Sequence, residues 1–254
     1  MRDFTIDSYT SFLSTLQVRG YDLLTFKDFF FRNDNPKHAI LRHDVDKLPE
    51  NSLLFALTQN RSKISGTYYF RANSKSFNKN IIQKIASLGH EIGYHYETMD
   101  TCHGNLDRAY DEFCRNLEMF RKIVPVETVC MHGSPLSKYD NRLIWEKYDY
   151  KKLGILAEPS MDVDFNHVYY ITDTGRMWNG DKVSIRDKPR HRLTTIWPSY
   201  HSTFNIINAL NEGTFPNIAM ITIHPQRWSN NKVLWFKELI IQNLKNQIKK
   251  SLAK

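Results

Sequence analysis

Short runs of apolar and β-branched residues alternate along the chain with longer stretches in which apolar positions recur every three or four residues. The runs cover 39–45, 66–70, 91–96, 126–131 and 218–223, and they read as strands. The clearest helix is 105–122, where Leu106, Tyr110, Phe113, Leu117 and Phe120 share one face and Asp111/Arg115 and Glu118/Lys122 are spaced as i,i+4 pairs. Further helices are predicted at 50–63, 78–88, 202–211 and 232–252, the second of them stopped by Gly89. An irregular stretch is expected near 157–200. Strands alternating with helices predict crossover units and a largely parallel sheet.

The helix at 232–252 carries Val233, Phe236, Ile240, Leu244 and Ile248 on one stripe. Two readings follow: the stripe packs on the rest of the chain with its lysines in water, or it rests on a membrane surface. Between Lys232 and Lys254 there are six lysines against one acid, Glu238, so this segment holds +5 of the formal net charge of +8. No other stretch interleaves basic and aromatic residues as a single-strand binder would, so a nucleic-acid partner is not expected.

What ends each apolar run changes the picture from fold to chemistry. The first run ends in Asp44 and Asp46, the third contains His95 and leads into Glu97, the fourth leads into His132 and the fifth into His224. In parallel α/β folds, and in barrels above all, the C-terminal strand edge gathers ligands and catalytic groups. Side chains alternate along a strand, so Asp44 and Asp46 share one side while His43 and Val45 take the other; His95 and Glu97 likewise oppose Tyr94 and Tyr96. Two carboxylates so close repel unless a cation or proton lies between them. Imidazoles and carboxylates together suit a divalent metal, with zinc the first choice and cobalt, manganese or nickel as alternatives.

The remaining composition narrows the class. A chain of 254 residues, 41% hydrophobic and 13% aromatic, can bury a core, and a single domain over 1–254 is expected. Cys102, Cys114 and Cys130 are odd in number and form no CxxC pair, so free thiols are expected. The opening residues show neither a basic leader nor an apolar signal core, and no apolar run approaches a membrane span, so a cytoplasmic protein is expected, at most at the inner face of a membrane.

Asp44-Val45-Asp46, Gly89-His90-Glu91-Ile92-Gly93-Tyr94-His95, the Gly66-Thr67-Tyr68-Tyr69-Phe70 strand and Ile223-His224-Pro225, in this order, resemble the polysaccharide deacetylases of the NodB-homology group, carbohydrate esterase family four. The likeness covers residues 38–228. Its closest form is a divergent branch marked by His-Asp-Val-Asp, Glu-Ile-Gly-Tyr-His-Tyr-Glu and His-Gly-Ser-Pro, similar to deacetylases of lipopolysaccharide O-antigen biosynthesis. The resemblance implies a distorted (β/α) barrel of about seven parallel strands and metal-dependent removal of N-acetyl groups from sugars. It implies Asp44 as general base, Asp46 and His95 as metal ligands and His224 as general acid.

Two departures stand out. Met99 occupies the place where the family carries its second metal histidine, four residues after the first. The third ligand must then come from His132, from Glu97 or, less readily, from Asp100 or His103; His132 is the first choice, unless it only orients Asp44. The family's base-orienting arginine is also missing near His132, and Arg42, Arg142 or Arg176 could replace it. Asp173, Arg176 and Trp178 are candidates for a substrate wall. The expected substrate is an N-acetylated sugar, as a nucleotide sugar or a lipid-linked glycan. The alternatives are an amidohydrolase on small amides and a non-catalytic carbohydrate-binding protein with a degenerate metal site.

Overall fold

The computed structural model describes residues 2–31, 35–134, 137–178 and 194–252. Part of the irregular stretch expected at 157–200, and the proline of the His-Gly-Ser-Pro motif, lie outside the described residues. Seven strands form one sheet: β1 (Asp22–Leu24), β2 (His38–Val45), β3 (Thr67–Phe70), β4 (Glu91–Tyr96), β5 (Val129–Met131), β6 (Tyr169–Thr172) and β7 (Ile218–Ile223). Their order is β5-β4-β3-β2-β7-β6, with β1 added to the early part of β2, and every ladder is parallel. The expected distorted barrel of about seven parallel strands is met as a curled half-barrel.

Around the sheet run α1 (Ile6–Val18), α2 (Phe26–Phe29), α3 (Pro49–Arg61), α4 (Lys79–Ser87), α5 (Thr98–Thr101), α6 (Leu106–Arg121), α7 (Ile144–Lys147), α8 (Pro159–Asp162), α9 (Thr203–Glu212) and α10 (Lys232–Leu252). All five strands and all five helices expected from periodicity are present. The pattern missed β1 and β6, which are short, and α1, whose Ser/Thr-rich sequence hides the stripe of Tyr9, Phe12, Leu13 and Leu16 that it buries. A capping box starts α1: the Thr5 side chain accepts from the Ser8 N–H, and Ser8 accepts from the Thr5 N–H.

Strand alternation separates two layers of side chains. On the outer face Leu41, Val45, Tyr68, Phe70, Tyr94, Tyr96 and Ile221 pack against the helices in the main core. On the inner face Ile40, Tyr69, Cys130 and Met220 join Phe26, Ala157, Val163 and Phe165 in a smaller apolar cluster. Register aligns Asp44 with Tyr69, Tyr69 with Gly93, and His95 with Cys130, so these residues share the inner face. Gly93 is required there, because a Cβ would stand 2.2 Å from a Tyr69 ring carbon. The inner face is thus apolar at its base and polar at the C-terminal edge, where the chain must hold its charges by pairing them.

α10 is inverted relative to the packed-stripe reading. Gln242 and Asn246 are its buried residues, and the Asn246 amide donates to the Gly175 carbonyl at 2.8 Å. Val233, Phe236, Ile240, Leu244 and Ile248 are 45 to 75% exposed. Trp235 anchors the helix through an N–H to the Asp3 carbonyl and a stack under the Arg176 guanidinium.

Candidate active site

β2 delivers Arg42, Asp44 and Asp46 at successive inner-face positions. Arg42 Nε and Nη2 donate to the two oxygens of Asp44 at 2.8 and 2.6 Å, and both side chains are almost fully buried. Burial alone would raise the Asp44 carboxyl; the Arg42 guanidinium, helped by His95, outweighs it and holds the group well below the usual carboxylate range. Of the three candidate arginines, Arg42 is the one that grips Asp44. It stands two residues before Asp44, on the same side of the strand, which the alternation rule could have singled out. Arg142 instead pairs with Asp140, and Arg176 lies under α10.

Asp46 faces two histidines. Its Oδ1 is 3.8 Å from His95 Nε2 and 3.5 Å from His132 Nε2, while its Oδ2 accepts from the Gln226 amide at 3.0 Å. The His95 Nδ1–H donates to the Cys130 carbonyl at 3.0 Å, which leaves Nε2 as the inward lone pair. His132 turns Nδ1 toward Glu97 at 3.2 Å, so its Nε2 is also directed inward. Glu97 is held by Arg71 and by the Asn73 amide; burial raises its carboxyl, but His132 and Arg71 outweigh that and keep it low. Burial drives the His95 pKa down to about 4 against the pull of Asp44 and Asp46. For His132 the contact with Glu97 and the nearness of Asp46 outweigh burial and raise it.

This group fits a divalent metal. Asp46 Oδ1 is buried with no hydrogen-bond partner, a costly state for a carboxylate oxygen unless a cation meets it. The His95 and His132 Nε2 atoms, 3.8 and 3.5 Å from that oxygen, supply with it one oxygen and two nitrogens, donors of the kind zinc takes. A second combination, Asp44, His95 and Cys130, brings one ligand atom each within 4.8 Å of one another. Among the described residues it is the set whose ligand atoms lie that close together, with the Asp44 oxygens also bound by Arg42 and the Cys130 thiol in the apolar cluster below the polar edge.

Glu97 lies outside the nitrogen and oxygen cage and acts on His132 from behind. Asp100 takes up the Asn141 amide, and His103 is exposed on a turn. Met99 is buried in the main core.

His224 follows β7 and joins Asp173, which follows β6. The His224 Nδ1–H donates to Asp173 Oδ1 at 2.6 Å, and the same carboxylate accepts from the His224 backbone N–H, Arg227 and the Trp228 indole N–H. Asp173 is completely buried; burial raises its carboxyl, but His224 and Arg227 outweigh that and lower it. The three substrate-wall candidates are all buried. Asp173 orients His224, Arg176 is enclosed between Phe4 and Trp235, and Trp178 is core, stacked near Phe4 with its N–H on Thr203. Sequence reasoning missed the Asp173 to His224 pair, although Asp173 ends an apolar run as Asp44 and His224 do.

The sequence matches no protein-family model and no curated protein. Among solved structures it is similar to a family 4 carbohydrate esterase from Bacillus anthracis, with 13% identity over 93% of this chain and 86% of that one and a TM-score of 0.40. It is also similar to the Xyl-CE4 domain of a multidomain xylanase from the hindgut metagenome of Trinervitermes trinervoides, with 15% identity, 84% and 85% coverage and a TM-score of 0.45. Bacillus subtilis PdaA, a family 4 carbohydrate esterase, overlaps at 12% identity, 91% and 82% coverage and a TM-score of 0.40. Identity and superposition this low transfer neither a residue role nor an activity.

Proposed function

We propose that this chain is a metal-dependent hydrolase that removes an N-acetyl group from a sugar or glycan intermediate. The observation that carries the reading is the unpartnered Asp46 Oδ1 facing His95 and His132 beside an ionised Asp44. A divalent ion bound by Asp46, His95 and His132 would supply an acidified water and a Lewis acid for the amide carbonyl. Asp44, kept charged by Arg42, takes the proton of the attacking water; each of its oxygens retains a lone pair beyond the guanidinium contact. His224, its Nδ1 fixed by Asp173, presents Nε2 to return a proton to the departing nitrogen. Water and amide thereby become acetate and amine.

Acetate release from an acetamido sugar, but not from small linear or cyclic amides, tests this reading. Equal turnover of small amides would favour an amidohydrolase, and no turnover of either with no bound metal would favour a carbohydrate-binding protein. The motif likeness to the O-antigen branch supports a place in surface polysaccharide biosynthesis, on a cytoplasmic nucleotide sugar or lipid-linked glycan.

The exposed stripe of α10 supports a peripheral membrane contact. Among the described residues no helix is long and apolar enough to cross a membrane. An apolar face turned to solvent on a helix rich in lysine suits a surface of anionic lipid. The variants Phe236→Asp and Leu244→Asp should release the protein from anionic vesicles in a sedimentation assay; unchanged binding would exclude this role.

A further inference from the structure

Beside the ligand cluster a cleft of about 370 Å³ runs from Asp46 to the far part of α10, a size within the range of small-molecule sites. Its lining is strongly cationic. Arg71 and Arg227 contribute to it, but each is matched by a carboxylate, Glu97 and Asp173 respectively. Lys47, Lys75 and Lys245 line the same cleft from the end of β2, the segment after β3 and α10, and no ion pair is recorded for any of them among the described residues. Lys47 is half-buried, and the other two are exposed. The one carboxylate in the lining, Asp46, is turned toward His95 and His132.

Three separate chain segments thus line the cleft with three ammonium groups that no carboxylate neutralises among the described residues. Like charges around a concavity repel one another, and an anion entering between them relieves that repulsion. Gln226 also lines the cleft. Its amide nitrogen is committed to Asp46, which fixes the orientation of the amide, and its Oε1 is buried with no partner. That oxygen is an acceptor for a hydroxyl or amide N–H of a sugar seated between the ligand cluster and the lysines.

We infer that the cleft is an anion subsite, in which Lys47, Lys75 and Lys245 hold a phosphoryl or pyrophosphoryl group attached to the sugar whose acyl group faces Asp46. The inference rests on the deacetylase reading for the identity of the sugar and is independent of it for the anion. A phosphorylated sugar is the shared chemistry; a soluble nucleotide sugar and a lipid pyrophosphate-linked sugar are its two sources.

Calorimetric titration with inorganic pyrophosphate and kinetics on paired substrates test the inference together. The pairs are N-acetylglucosamine 1-phosphate against neutral N-acetylglucosamine, and a UDP-linked against a lipid pyrophosphate-linked acetamido sugar. Wild-type protein should bind pyrophosphate in a salt-sensitive manner. It should also favour the phosphorylated member of the first pair, by about tenfold or more in kcat/KM. The triple variant Lys47→Gln/Lys75→Gln/Lys245→Gln should lose both the binding and the preference while retaining turnover of the neutral sugar. The second pair identifies the source by which member is turned over faster. Equal turnover of charged and neutral sugars, unaltered in the triple variant, would overturn the subsite and leave the deacetylase reading standing. Pyrophosphate binding that vanishes in the variant, with no turnover of any sugar, would support the subsite and remove the deacetylase reading.

Discussion

The histidines of the outer face and those of the inner face are held in opposite ways. His43 has both ring nitrogens used by neutral groups: Nδ1–H donates to the Thr67 carbonyl and Nε2 accepts from the Tyr9 hydroxyl, each at 3.0 Å, with the ring stacked on Tyr68. His90 accepts from the Gly66 N–H on one nitrogen and donates to the Ala56 carbonyl from the other. His95 has one nitrogen anchored on a carbonyl and the other aimed at carboxylates, and His132 turns both of its nitrogens toward carboxylates. The outer pair is saturated and belongs to the fold. The inner pair is left with a valence, which is what a site needs.

The comparison breaks first at catalysis. Asp44→Asn, and separately His224→Gln, should lower kcat by about 10²–10⁴. His224→Gln should leave the thermal midpoint close to that of the parent, whereas Asp44→Asn, which strips the buried Arg42 guanidinium of its counter-charge, should lower it as well. A large loss of midpoint with activity per folded molecule unchanged would place these residues in the fold instead.

Arg42 belongs to both functions. Arg42→Ala leaves a buried carboxylate without its partner, a change that costs about 3–5 kcal/mol. Denaturant melts should show that loss, and the activity profile should move to higher pH as the Asp44 carboxyl rises toward the ordinary range. A melt and a pH profile both matching the parent would show that another group orients Asp44.

Gly93→Ala sharpens the boundary between the layers. Its Cβ would strike the Tyr69 ring, which sits beside the Arg42 guanidinium and bonds Thr128 through its hydroxyl. The expected cost is about 1–3 kcal/mol by overpacking, together with reduced activity. A melt unchanged by this substitution would mean that the ring relocates without strain.

The outer face shows itself in its acid response. Burial drives the His43 pKa from 6.5 down to about 3. Below pH 6.5 the unfolded chain takes up a proton that the folded one refuses, so stability declines as pH falls from 6.5 toward 3. His43→Gln should flatten this part of the curve by an amount on the order of a few kcal/mol. An equally steep curve in the variant would assign the acid sensitivity to other groups.

The parallel sheet and the four polar strand ends were legible because both depend on local patterns: apolar runs of strand length, and charges that break them at one edge. Asp44, Asp46, His95 and His132 come to one place because parallel strands put all their C-terminal ends on one side. Less legible was anything that depends on pairing across the fold. Asp173 was expected in a substrate wall, yet its carboxylate becomes the hub for His224, Arg227 and Trp228. The stripe on α10 gave the right helix, but periodicity identifies a face without saying which way it points. Here Gln242 and Asn246 face inward.

Metal analysis of the purified protein tests the central claim most directly, with Asp46→Ala, His132→Ala and Met99→Ala measured alongside. About one divalent ion per parent chain is predicted, lost in the first two variants and retained in the third. A parent chain that takes up no metal when supplied with zinc, cobalt, manganese or nickel, or one whose metal content is indifferent to Asp46 and His132, would contradict it.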